Sequence, residues 1–301
     1  MSEWRGARAV VTGGTGFVGA HLVRRLIAGA AQVSLFARES ARLDALADLA
    51  GRFKRYDVDV RNGPTVRRAM DKARPEVVFH LAAAGVTDPF LPLEQALRVN
   101  VAGTVNVIQS ARGARRIVYV GSCYELGERP PDGIDPISTY AASKAAAWAF
   151  ARMLYRTEGA PVVGVRPFQV YGPGQPVKSV LCAALSSARR GQDFPMTAGE
   201  QVRDWVYVDD VVEGLLAACV ANGVEGDVFH LGTGCGYALR DIVERVFALV
   251  GGNARPLIGA LPYRPGEVMR LVADTAPSAE RLGWRARTAL DEGLQRLVRD
   301  H

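Results

Sequence analysis

The chain has few cysteines and none in pairs. Cys123, Cys182, Cys219 and Cys235 stand far apart with no CxxC spacing. Neither a zinc site nor a disulfide framework is expected, and a reducing compartment is the default. A basic run is missing too: the net charge of +6 is spread over scattered arginines. That is the pattern of a solvated surface and not of a nucleic-acid-binding face, although a few arginines are free to serve a phosphate-bearing ligand. No apolar stretch is long enough to span a bilayer, and "MSEWRGARAVVTGG" enters a strand at once with no signal peptide before it. A cytoplasmic protein with neither a membrane nor a nucleic acid as partner is expected. There is no internal repeat and no low-complexity stretch, which excludes a solenoid.

What remains is ordinary globular material: 301 residues, 49% hydrophobic and 23% charged, enough for one large domain or two modest ones. Strand-like runs at 7–12, 32–36, 53–57, 77–80, 117–121 and 162–165 alternate with helical patterns at 16–28, 40–50, 64–73, 93–112 and 140–158. Ser40 reads as an N-cap, with Leu43, Leu46 and Leu49 as an apolar stripe. Alternation of this kind predicts an α/β fold, a Rossmann-type doubly wound parallel sheet. After about Arg166 the pattern breaks at "RPFQVYGPGQP", which reads as a loop. Helices are then expected at 177–190, 208–221, 239–250 and 290–299, with short strands at 228–231 and 268–273. Residues 1–165 form the expected dinucleotide-binding domain, to which part of 206–232 returns. Residues 166–301 form mainly a smaller α/β substrate-binding domain.

The stretch "VVTGGTGFVGAHLVRRL" carries the first chemistry. Gly13, Gly16 and Gly19 are spaced three apart, and Gly14-x-Gly16-x-x-Gly19 fits the dinucleotide fingerprint. Glycine is needed where the strand turns sharply and the backbone approaches a pyrophosphate. The helix opening at Phe17 and Val18 then offers amides and partial positive charge.

A second group is Ser122 with Tyr140 and Lys144 in "STYAASK". Tyr140 and Lys144, four apart on a helix, share one face. A phenol titrating near ~10 is a poor acid or base at neutral pH. A neighbouring ammonium favours the phenolate and brings the group nearer its working range. Ser122, at a strand end, is placed to hydrogen-bond the oxygen that gains or loses the proton.

Together with the glycine loop, this trio resembles the short-chain dehydrogenase/reductase superfamily, and more closely its extended branch, the NAD-dependent epimerase/dehydratase family acting on nucleotide sugars. "DVDVRN" (57–62), "PEVVFHLAAA" (75–84), "NVAGTVNV" (100–107), "RPFQVYGPGQ" (166–175), "VRDWVYVDD" (202–210), "HLGTG" (230–234) and "RPGEV" (264–268) follow in that family's order. The resemblance implies a nicotinamide cofactor touching Gly13, Gly16, Phe17, Val18 and Gly19, with Asp59 and Val60 at the adenine. Leu81, Ala82 and Ala83 would lie along the ribose and phosphates, beside Asn100, with Pro167 near the nicotinamide and Lys144 on its ribose. It implies a homodimer through the helices at 93–112 and 140–158, and no metal.

Where the family places an acid for the ribose 2′-OH, this chain has Ala37, followed by Arg38. Losing the acid removes repulsion against a 2′-phosphate, and a guanidinium pairs with it, so NADP(H) is the expected cofactor and NAD(H) the alternative. Dehydratases of the family place an Asp–Glu pair directly after the catalytic Ser/Thr; here those positions are Cys123 and Tyr124. That points away from 4,6-dehydration. Cys123 reads as a buried small hydrophobe, with an acid/base thiol as the other option. Glu125 would face the opposite side if the segment is extended.

Two reactions remain: NADPH-dependent reduction of a keto group on a nucleotide-linked, 4-keto-6-deoxy sugar, or epimerisation with tightly held NAD. The missing acid and a chain shorter than typical epimerases favour the reductase. By resemblance Arg203 and Arg264 clamp the substrate diphosphate. As the alternative, Arg203 pairs with Asp204 or Asp209 and ties the domains together. Gln169 replaces an asparagine common in the family. Thr87, in "GVTDPFLPL" (85–93), lines the sugar pocket with Ser122, Cys123 and Tyr124. A non-catalytic dinucleotide sensor of this fold, and an enzyme acting on a lactone or aldehyde, are the remaining readings. The first is disfavoured by the retained Ser122, Tyr140 and Lys144, the second by Arg203 and Arg264.

Overall fold

The structure, a computed structural model, describes residues 4–127, 133–264 and 266–300. Seven strands build the main sheet: β1 (Arg8–Thr12), β2 (Gln32–Ala37), β3 (Lys54–Asp57), β4 (Val77–His80), β5 (Arg116–Val120), β6 (Val162–Pro167) and, late in the chain, β10 (Val228–Leu231). Their order is β10-β6-β5-β4-β1-β2-β3, with every neighbouring pair parallel. The sheet is covered on both faces, so its inner strands β1, β4, β5 and β6 are largely apolar at successive positions, whereas the edge strand β3, KRYD, is not. Val11, Leu35 and Phe79 pack under α1 (Phe17–Ala28), which buries Leu22 and Leu26. Val10, Phe36, Val78 and Ile117 pack on the other side under α2 (Gly63–Ala73) and the helices that follow.

One expected helix splits. The run from residue 93 is α3 (Leu93–Ala96), a π-helical turn (Leu97–Ala102) and α4 (Gly103–Ser110). Thr104 Oγ1 takes the Asn100 carbonyl at 2.5 Å, competing with the helical amide for it. α5 (Thr139–Glu158) follows, N-capped by Ser138. The helix expected at 40–50 is not formed. Only a 3-10 turn, Asp44–Leu49, is present, and Ser40 caps nothing. Arg24 donates to the Ala45 carbonyl at 2.6 Å, the acceptor that an α-helical Leu49 amide would need. The apolar stripe survives in buried Leu46 and Leu49.

Beyond β6, "RPFQVYGPGQP" is not all loop, because it holds β7 (Gln169–Tyr171). α6 (Val180–Arg189), β8 (Phe194–Pro195) and β9 (Val202–Tyr207) come next, and α7 (Val208–Val220) returns to the main sheet before β10. β9 pairs with β7, with β11 (Gly236–Ala238) and with β13 (Arg270–Leu271). α8 (Leu239–Val250) leads to β12 (Pro256–Leu257), paired with β8. α9 (Ala276–Leu282) and α10 (Leu290–Asp300) close the chain. β8, β9, β11, β12 and α9 escaped the sequence reading, and the strand expected at 268–273 shrinks to β13. β8, β11, β12 and β13 are two or three residues long and carry no periodicity to read. β9 buries the charged Arg203 and Asp204 among its apolar residues, and α9 spans only seven residues.

Candidate functional site

The carboxyl ends of β1, β4, β5 and β6 meet at one edge of the sheet. At β1 the chain turns at Gly13, in the left-handed region at φ 72°. A Cβ there would stand 2.6 Å from the Ala82 amide nitrogen, and one at Gly19 would collide with the Gly13 carbonyl. Gly16 starts α1 with no side-chain cap and no acid in the first turn. The helix therefore presents bare amides and positive dipole to the space above the loop. A cradle that any side chain would fill, ahead of an uncapped helix, fits a dinucleotide pyrophosphate.

Strand β2 ends in buried Ala37, and Arg38 stands exposed beyond it. Arg55 pins this corner: its Nη2 donates to the carbonyls of Arg38 (2.9 Å) and Glu39 (2.8 Å), its Nε to Asp57 (3.0 Å). Asp59 is gripped by the Arg61 guanidinium at 2.6–3.0 Å, with Arg38 adding positive charge. Together they hold its carboxyl below the usual range. Val60 offers no open side chain: it packs on Gly103, and Asn106 takes its carbonyl at 2.9 Å.

Under Leu81, Ala82 and Ala83 runs a buried polar chain whose direction can be read. Thr104 Oγ1 spends its proton on the Asn100 carbonyl, so it accepts from His80 Nε2 at 3.0 Å. His80 Nδ1 is then an acceptor for Thr12 Oγ1 at 2.7 Å, and Thr12 in turn accepts the Ala82 amide at 3.2 Å. The ring is neutral. Burial, with the Lys144 charge nearby, pulls His80 down to about 3. The Asn100 amide group holds the main chain of Ala84 in both directions and donates to Ser143 Oγ at 2.8 Å. Ser143 donates to the Tyr140 carbonyl at 2.7 Å.

Ser122, Tyr140 and Lys144 are brought together, all three buried. The Ser122 hydroxyl is a hydrogen-bonding neighbour of the Tyr140 phenol and favours its ionised form. The expected effect of Lys144 on Tyr140 is not what dominates. Burial drives the phenol well above its ordinary value, and Glu125 adds to the rise. The Lys144 ammonium lies over the Tyr119 ring, 4.8 Å from its centroid, and burial lowers it to about 8 against the opposing pull of Glu125. Pro167 closes β6 alongside.

Toward the second sheet, the Tyr124 hydroxyl donates to Gln169 Oε1 at 3.3 Å. Arg203 is buried and pairs with Glu267 at 2.8 Å. The expected alternative partners are otherwise engaged. Asp204 accepts from the amides of Thr233, Gly234 and Ala273, and Asp209 contacts His21. Arg264 is exposed on the loop that brings Glu267. Cys123 is packed with Leu126, Phe168, Val268 and Leu271, its thiol pushed up to about 12 by burial. Thr87 is exposed at the rim.

The sequence reading missed Arg55, Glu267 and above all Glu125. Glu125 does not sit on an extended segment. It closes a 3-10 turn, Cys123–Glu125, and its carboxylate returns to the Ser122 amide at 2.8 Å. The spacing Ser122-x-x-Glu125 is a capping-box signature and was there to be read. Among the described residues no helix is long and apolar enough to cross a membrane, and no His/Cys/Asp/Glu cluster could hold a metal ion.

The NAD dependent epimerase/dehydratase family model matches residues 9–232. A UDP-glucose 4-epimerase of Mycolicibacterium smegmatis is 32% identical over 97% of both chains. The crystal structure of a UDP-glucose 4-epimerase from Thermotoga maritima with UDP-glucose superposes with a TM-score of 0.88, at 27% identity over 97% of both chains. A dTDP-glucose 4,6-dehydratase from Streptomyces venezuelae, solved with NAD bound, gives 0.87 at 28% identity, covering 97% of this chain and 96% of that one. Coverage this complete removes chain length as an argument between epimerase and reductase.

Proposed function

The chain belongs to the NAD-dependent epimerase/dehydratase family, and from that premise we propose that it reduces a keto group on a nucleotide-linked 4-keto-6-deoxy sugar with NADPH. The observation that carries the choice is the corner after β2, where Ala37 replaces an acid and the exposed Arg38 follows. A 2′-phosphate placed there meets Arg38 without a carboxylate from the strand end to repel it.

In this reading Gly13, Gly16, Phe17, Val18 and Gly19 hold the pyrophosphate, Asp59 borders the adenine, and Ala82, Ala83 and Pro167 border the rest. Bound nicotinamide supplies the hydride. Ser122 polarises the substrate carbonyl and Tyr140 gives its proton to the carbonyl oxygen. Lys144 carries positive charge beside the nicotinamide ribose and the reacting groups. The raised phenol suits a group that stays protonated until the oxygen needs its proton. Arg203 binds the diphosphate after Glu267 yields to it, with Arg264 closing from the loop. Tyr124 and Gln169 face the sugar. Cys123 and Tyr124, standing where a dehydratase pair would, supply no carboxylate.

A homodimer belongs to the same proposal. Leu93 and Leu97 lie one turn apart, Phe150 and Met153 share a face of α5, and all four are exposed.

The epimerase reading has its own support, because the same three residues serve hydride removal and return, and the similar proteins include UDP-glucose 4-epimerases. One assay separates the two. Mixing with dTDP-4-keto-6-deoxyglucose and NADPH should consume NADPH, and Tyr140→Phe should not. Interconversion of UDP-glucose and UDP-galactose without net cofactor consumption would overturn the reductase in favour of the epimerase.

A further inference from the structure

The turn that carries Ser122 is built around a buried charge. The Glu125 carboxylate is fully enclosed. One oxygen accepts the Ser122 amide at 2.8 Å, while the other accepts Nε of Arg166 at 2.9 Å and forms an ion pair with its Nη2 at 2.9 Å. Arg166, also buried, immediately precedes Pro167 at the end of β6. Gly121 leaves room for this carboxylate, since a Cβ there would collide with Glu125 Oε1 where it now sits. One side chain thus locks together the ends of two neighbouring strands, one delivering Ser122 and the other Pro167.

We propose that Glu125 is a positioning residue for the reaction: held by Arg166, it sets the Ser122 main chain, and so its hydroxyl, against the Tyr140 phenol. The inference rests on the Ser–Tyr–Lys chemistry and holds for reduction or epimerisation alike. Stability alone gives little reason for such a pair, because well-packed apolar residues often replace a buried ion pair without loss. Its placement does give a reason. The carboxylate is surrounded by Arg166 from β6, Tyr119 from β5, Tyr140 and Lys144 from α5, and Cys123 from its own turn. Its negative charge raises Tyr119, Cys123, Tyr140 and Lys144 together. Lys144 in particular keeps its proton against burial with this help.

Glu125→Gln keeps the shape and removes the charge. Only four lysines occur in the chain (Lys54, Lys72, Lys144, Lys178). The Lys144 signal in a ¹³Cε-lysine NMR titration is therefore identified by its loss in Lys144→Arg. Its midpoint should fall by about one pH unit in Glu125→Gln, with kcat for dTDP-4-keto-6-deoxyglucose reduced about 10–100-fold and the NADPH affinity, measured at about pH 6 where Lys144 stays charged in both, little changed. The alkaline limb of the rate profile should move to lower pH. Glu125→Asp should keep the Lys144 midpoint near that of the wild type and still lose kcat, because the shorter side chain cannot reach both Ser122 and Arg166. If the single change leaves Arg166 unpaired and the chain unfolded, Glu125→Gln with Arg166→Met removes both charges and carries the same test. A folded variant with unchanged midpoint and unchanged kcat overturns the proposal. A wild type that titrates as expected but turns over no keto sugar counts against the reductase reading instead, and the Lys144 midpoint then decides for Glu125.

Discussion

Arg55 holds Arg38 by the backbone: its Nη2 bonds the Arg38 carbonyl at 2.9 Å, and Arg38 in turn adds positive charge at Asp59. The main chain that carries the Arg38 side chain is therefore fixed from the neighbouring strand. Arg38→Ala should weaken NADPH binding by roughly tenfold or more and leave NADH within about threefold, since a charge-assisted pair contributes about 1.5–3 kcal/mol. Arg55→Ala should narrow the same preference without abolishing it. Fluorescence titration with both cofactors reads the ratio, and a wild type that binds NADH more tightly than NADPH removes the basis for NADP(H).

Tyr140→Phe should lower kcat by about 10²–10⁴, the usual contribution of a positioned proton donor, with little change in cofactor affinity. Steady-state rates and NADPH titration together check it.

Lys144 is lowered by burial to about 8. It is charged below that pH and neutral above it, so NADPH affinity should decline as pH rises through about 8. Lys144→Met should bind weakly at every pH and show no such decline.

His80 is buried neutral, its ordinary value of 6.5 pulled down to about 3. A folded value below the unfolded one means stability is full above 6.5 and is lost as pH falls toward 3. The term amounts to about 5 kcal/mol when complete. Thermal melts of wild type between pH 7 and 4 should show the decline, and His80→Gln, though less stable at pH 7, should show a shallower one.

Cys123→Ala should cost about 1–2 kcal/mol through a small cavity and leave turnover within a few-fold. A hundredfold loss of kcat would instead make the thiol an acid/base group, in conflict with its packing against Leu126 and Phe168.

The parallel sheet was legible because its central strands show near-continuous apolar runs and its helices are long enough to show a stripe. The glycine loop was legible for a steric reason, since Gly13 and Gly19 admit nothing else. Ser122, Tyr140 and Lys144 were found by type and spacing, and the structure buries them side by side. The environment of the trio was not legible. That Lys144 lies over Tyr119, and that burial outweighs charge at Tyr140, depends on contacts between strands distant in sequence. Glu125 was misplaced because an extended backbone was assumed where a capping box bends it. The helix at 40–50 failed because Arg24, from α1, takes the Ala45 carbonyl of that segment.

The polar chain below the cofactor edge is an insulator. It starts at the Ala82 amide and stops at the Asn100 carbonyl, passing through Thr12, His80 and Thr104. Its branch through Ser143 also stops at a carbonyl, that of Tyr140. An amide N–H releases no proton at neutral pH and a carbonyl stores none, so nothing can be conducted along these bonds. On the reading proposed here, the proton that Tyr140 gives to the substrate is not refilled along this chain, which leaves as its route the side of the site that holds Ser122 and Lys144.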